Sequence, residues 1–100
     1  MKLEIRGDTL RVSEIKELGA AVATAFRDRA RAALGGDQRN IEVDLSQTTF
    51  VDSAGLGALI ALHKTACSRQ GGVRLLDPQP QVQQLLELTR MHHLFEIAKG

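Results

Sequence analysis

The sequence has no tryptophan, no tyrosine and only three phenylalanines. With so few rings, Leu, Ile, Val and Ala must fill the core. The interleaving of aromatic and basic residues that marks a nucleic-acid surface is missing, so no direct nucleic-acid contact is expected. Charge of one sign is equally scarce. Thirteen basic residues against twelve acidic ones leave +1, with no block of either sign. Cys67 stands alone, which excludes an internal disulfide and a cysteine-built zinc site. No apolar run approaches membrane-spanning length, and the opening MKLEIRGDTL has no apolar signal core. A reduced, cytoplasmic setting without membrane insertion is therefore expected. There is no linker, repeat or low-complexity stretch. A chain of 100 residues predicts a single domain over 1–100, burying roughly 65% of its unfolded surface.

Residues 2 to 15 alternate weakly through Leu3, Ile5, Leu10 and Val12, with Gly7-Asp8 between them, which predicts two short strands and a tight turn. From about Leu18 the period becomes helical: Leu18, Val22, Ala25, Phe26, Ala33 and Leu34 form a stripe that Gly35-Gly36 ends. Ile41, Val43 and Leu45 alternate with Glu42, Asp44 and Ser46, as in a strand with one face in the core. A loop leads to a second helix from about Ala54 to Arg69, stopped by Gly71-Gly72. VRLL, residues 73 to 76, is a short strand. Pro80 opens a third helix with Val82, Leu85 and Leu86 on its buried stripe. Leu94, Phe95 and Ile97 close the chain as a short strand or edge. This order predicts an α/β fold: a small mixed, mostly parallel sheet with three or four helices packed mainly on one face.

The second helix is unusual at its start. Leu56, Leu59, Ile60, His63 and Cys67 follow helical spacing and are expected to form its core stripe. The other face collects Ser53, Ala54, Gly57, Ala58 and Ala61 before Lys64 and Ser68, so for two turns it is small and nearly uncharged. Gly55 and Gly57 each cost a helix up to about 1 kcal/mol against alanine. Either they let the helix start pack closely against the sheet, or they let another protein's backbone approach; for Gly57, which should point outward, the second account is preferred. Asp52 and Ser53 are both good N-caps. The alternative for Ser53 is a phosphate acceptor. A phosphoryl group there would add about −1.5 to −2 charges at a helix N-terminus, tolerated by the free N–H groups yet repelled by Asp52.

Other chemistry finds little support. Ser53 lacks the Gly-x-Ser-x-Gly elbow of an esterase, and no phosphate-binding or dinucleotide fingerprint is present. His63 is expected to pack in the core. His92-His93 makes a weak metal motif and is expected in solvent, and Asp44 to face solvent or cap a strand end. Cys67 is expected to be a small buried hydrophobe. The arginine-rich run FRDRARAAL reads as the outer face of the first helix. No enzyme activity, metal or cofactor is predicted.

The run VDLSQTTFVDSAGLGALIALHKTA, with GGVRLLDPQPQVQQLLELTRMHHLFEI after it, resembles the STAS domain family, and within it the anti-sigma factor antagonists. The resemblance spans roughly residues 10 to 97 and is strongest from Ile41 onward. It implies the STAS fold and a partner that is both anti-sigma factor and serine kinase. The unphosphorylated protein would bind this partner, phosphorylation of Ser53 would end the binding, and a serine phosphatase would reset the switch. The docking turn would comprise Asp52, Ser53, Ala54, Gly55, Leu56 and Gly57. Ala58 and Ala61 extend its surface, and Thr48 and Thr49 precede it, mainly as turn residues. Ala54 replaces a second serine common in the family, leaving Ser53 the one hydroxyl of the turn. Ser13-Glu14-Ile15 departs from the usual pattern after the second strand. The alternative is a constitutive STAS subunit of a stressosome or a lipid or transport complex, with Ser53 only a helix cap.

Overall fold

The computed structural model describes residues 1–99. The N-terminal hairpin pairs β1 (Lys2–Arg6) antiparallel with β2 (Thr9–Ser13), and Gly7 turns it with φ +60°. A two-residue strand, β3 (Glu17–Leu18), leads to α1 (Ala23–Ala33). Next come β4 (Asn40–Asp44), the two-residue β5 (Phe50–Val51), α2 (Ser53–Ser68) and β6 (Val73–Leu76). The chain then forms α3 (Pro80–Leu88), a 3-10 turn (Met91–His93) and β7 (Glu96–Ala98).

The main sheet runs β1-β2-β4-β6-β7, and every pairing except β1·β2 is parallel. Its one core face is set by alternation: Leu10 and Val12, Ile41 and Val43, Val73 and Leu75 all join a single cluster. Ala23, Phe26 and Ala30 of α1, Leu56, Leu59 and Leu62 of α2, and Val82 and Leu86 of α3 pack onto it. All three helices therefore contribute to the same side. On the opposite face a row of alternating charge crosses all five strands, because Glu4, Arg11, Glu42, Arg74 and Glu96 are successive register partners. Arg74 pairs with Glu42 at 3.2 Å and with Glu96 at 3.0 Å, and Arg11 with Asp44 at 3.2 Å.

Several expectations change in detail. Leu18 lies in β3, not in α1, and Val22 and Ala25 are exposed, so the helix starts at Ala23 and buries Ala23, Phe26 and Ala30. Helix α2 ends before its glycines. Gln70 takes the left-handed conformation, φ 63°, and the amides of Gln70 and Gly71 bond to the carbonyls of Cys67 and Ala66. This is the capping pattern usually built on glycine. Gly71 is needed for a different reason, since a Cβ there would collide with the Arg39 carbonyl.

Candidate functional site

The site is the start of α2, held in place by the small β3·β5 sheet. Glu17 pairs with Phe50 and Leu18 with Val51, and the Asp52 amide donates to the Leu18 carbonyl at 3.3 Å. Thr48 anchors the preceding loop. Its side chain is fully buried and its hydroxyl donates to the Ile15 carbonyl at 2.6 Å. Thr49 is exposed and bonds to the Lys16 carbonyl through both its amide and its hydroxyl. The two threonines are thus turn residues.

Asp52, extended at φ −114° and ψ −173°, is the N-cap of α2. Its Oδ1 accepts from the Gly55 amide at 3.0 Å, and its Oδ2 accepts from the Ala20 amide at 3.0 Å. One carboxylate therefore closes the helix and ties it to the loop before α1. The Gly55 amide, opposed by partial desolvation and aided by the amides of Ala20 and Ala54, holds this carboxyl below its ordinary pKa. Ser53 is the first helical residue. The reading in which Ser53 serves as the cap is corrected here: Asp52 fills that role. The Ser53 side chain is exposed and has no partner among the described residues.

The two glycines separate cleanly. A Cβ on Gly55 would collide with the Leu18 carbonyl oxygen, so this glycine exists for close packing on β3. A Cβ on Gly57 would meet nothing within 4 Å. Gly57 is exposed, one turn beyond Ser53 on the same face. Ala54 and Ala61 are half-buried beside it.

Gly55, Leu56, Ala58 and Thr48 were expected on the docking surface, but all four are buried, and of them Ala58 borders the groove between α1 and α2. The expected core stripe also rotates. Leu56 and Leu59 are inside, joined by Ala58, Leu62 and Ala66, whereas Ile60 and His63 are half-buried and Cys67 is exposed. The reason is that α2 packs against both the sheet and α1, so small residues on the α1 side count as interior. His63 meets Phe95 edge-to-face with ring centroids 5.7 Å apart, and the Cys67 sulfur lies 3.4 Å from His63 Nε2. His93 is exposed and His92 half-buried; no cluster of metal-ligating side chains occurs among the described residues.

Four contributors, Ala20, Thr24, Arg27 and Phe50, lie outside the expected site. Ala20, Thr24 and Arg27 line, with Ala54, Gly57 and Ala58, a groove of about 350 Å³ between α1 and α2. Phe50 is half-exposed and its ring lies over Gly19, where a Cβ would come within 2.8 Å of Cε2. An exposed ring ahead of the turn was a detectable signal in TTFVDS. The placing of Arg27 had none, since it depends on how α1 packs beside α2. Chemically, the site offers an unengaged hydroxyl on a small, bare surface, with a ring and a guanidinium nearby. Among the described residues, no helix is long and apolar enough to cross a membrane.

Comparison with known proteins identifies the family and the fold. A STAS-domain containing protein of Pseudomonas aeruginosa is 32% identical over 73 residues, covering 73% of this chain and 71% of the relative. A Thermotoga maritima protein, assigned provisionally as an anti-sigma factor antagonist, superposes with a TM-score of 0.91 at 25% identity, over 99% of this chain and 86% of that one. The unphosphorylated anti-sigma factor antagonist SpoIIAA has a TM-score of 0.81 at 21% identity over 97% and 86%; its phosphorylated form, from Bacillus, has 0.70 at the same identity over 97% and 89%. The family model described as Mlab, STAS domain matches residues 1–96. The chain belongs to the STAS domain family, with the mixed five-stranded fold of the anti-sigma factor antagonists.

Proposed function

We propose that this chain is an anti-sigma factor antagonist, a cytoplasmic binding module rather than an enzyme, acting as one STAS domain over 1–100. Its partner is an anti-sigma factor with serine kinase activity, which it engages through Ser53, Ala54, Gly57 and Ala61. Phosphorylation of Ser53 ends the binding, and a serine phosphatase restores it. The observation that carries the reading is the unengaged Ser53 hydroxyl. Asp52 already caps the helix, so the serine has no structural duty that phosphorylation would disrupt. The existence of a phosphorylated form of SpoIIAA, a protein of the same fold, supports the same choice.

A phosphate on Ser53 places about −1.5 to −2 charges and considerable bulk on a surface whose use depends on close approach. Loss of a few kcal/mol would change occupancy tenfold or more. The helix N-terminus tolerates the charge, so the product stays folded while its docking face changes sign. The contrasting reading is a constitutive subunit using the same face without phosphorylation.

The test compares Ser53→Asp with Ser53→Ala in a binding titration against the cognate kinase. The switch predicts that Asp abolishes binding and Ala retains it. Equal binding by both variants would refute the switch and leave constitutive docking.

A further inference from the structure

The net charge of +1 conceals an uneven distribution. Helix α2 contains no Asp or Glu, and Asp28 is the one acid of α1. The carboxylates of Glu4, Glu42, Asp44 and Glu96 stand on the opposite face of the sheet, where Arg11 and Arg74 engage three of them. On the helical side, Arg27 borders the α1–α2 groove and Arg31 crosses the seam to bond Thr65 Oγ1 at 3.2 Å. Lys64 is exposed two turns beyond Gly57. Asp28 of α1 pairs with Arg27 at 3.1 Å, Asp52 accepts from backbone amides, and among the described residues no acid lines the groove. The floor of the groove is Ala20, Ala54, Gly57 and Ala58, which lets a partner backbone come close.

We infer that the α1–α2 groove receives an acidic helical segment of the partner protein, its carboxylates meeting Arg27, Arg31 and Lys64 while its small or apolar side chains lie over Ala54 and Gly57. Charge complementarity selects an acidic occupant. The narrow floor of small side chains fits a helix ridge better than a lipid surface. Among the described residues, Phe50 is the only exposed phenylalanine ring, and it does not line the groove, so nothing there stacks a base. This deepens the function proposed above and rests on its docking face, but it does not require Ser53 to be phosphorylated. It also gives the switch a sharper mechanism, since a phosphate on Ser53 would face the incoming carboxylates.

The test uses the full chain and two synthetic amphipathic helices identical except that one carries Glu and the other Lys along its polar edge. Amide shifts are followed by NMR. The Glu peptide is expected to shift Thr24, Arg27, Ala54, Gly57 and Ala61, and the Lys peptide to leave them in place. Raising salt from about 0.05 to about 0.5 M should weaken the Glu peptide roughly tenfold, and the double variant Arg27→Glu with Arg31→Glu should weaken it at least as much. Unchanged shifts of sheet amides show that the variant is folded; if it is not, Arg27→Gln alone replaces it, with a smaller loss expected. Equal binding of both peptides, shifts elsewhere, or tighter binding of phosphatidylglycerol vesicles or single-stranded DNA to these residues would overturn the inference. Failure of the peptide alongside a working Ser53 switch would remove this inference alone, and the converse would remove only the switch.

Discussion

Replacing Gly57 by alanine adds one methyl where nothing stands within 4 Å, in the interior of α2. No packing opposes the change, so the helix should gain the propensity difference, about 1 kcal/mol. For a domain of this size that raises the thermal midpoint by about 4–8 °C. The same substitution at Gly55, two residues earlier, drives a methyl into the Leu18 carbonyl. Backbone cannot step aside as a flexible side chain can, so β3 and α2 must separate, at a cost of about 1–3 kcal/mol. Urea unfolding of the two variants, with slopes compared to confirm two-state behaviour, measures both effects. Gly57→Ala should move the midpoint up and Gly55→Ala should move it down. A destabilised Gly57→Ala would refute the claim that Gly57 is free of structural duty, and with it the idea that its bareness serves a partner. If that bareness does serve a partner, the more stable variant should bind it more weakly, because the methyl occupies the floor of the docking groove.

Thr48→Val keeps shape but leaves the Ile15 carbonyl without its buried donor; equilibrium unfolding should show a loss of about 1–3 kcal/mol. Asp52 has a folded pKa below its ordinary value, so its stabilisation is complete above about pH 4 and fades as pH falls through the lowered value. Asp52→Asn keeps a cap oxygen but no charge, and should flatten this part of the acid limb of stability measured from about pH 6 down to about pH 2. Gln70→Gly, at a left-handed position, should stabilise by up to about 1 kcal/mol in the same assay; a loss would show that the Gln70 side chain contributes more than its backbone strain costs.

Much of this was legible in residue order. Alternation in β2 and β4 marked the sheet, Gly7-Asp8 its first turn, and Pro80 the start of α3, because each signal is local. The β3·β5 sheet was not legible. Two-residue strands have no period, and this pairing joins Leu18 to a residue as distant as Val51. Without that sheet, Leu18 falls to α1. In α2, a run almost free of charge gives no contrast between faces, so Ala58 reads as outside and Cys67 as inside. Asp52 and Ser53 were both visible as cap candidates. Only the backbone geometry separated them, giving the cap to the acid and leaving the hydroxyl exposed. Arg27 reached the site through helix packing, which composition does not encode.

The central claim is that Ser53 is a phosphate acceptor on a docking surface. Phosphopeptide mapping and intact mass of the protein purified from its native cells, across growth and stress conditions, tests it most directly. A working switch predicts a phosphate on Ser53 in a fraction of molecules that changes with condition. A Ser53 that is unmodified under every condition would contradict it.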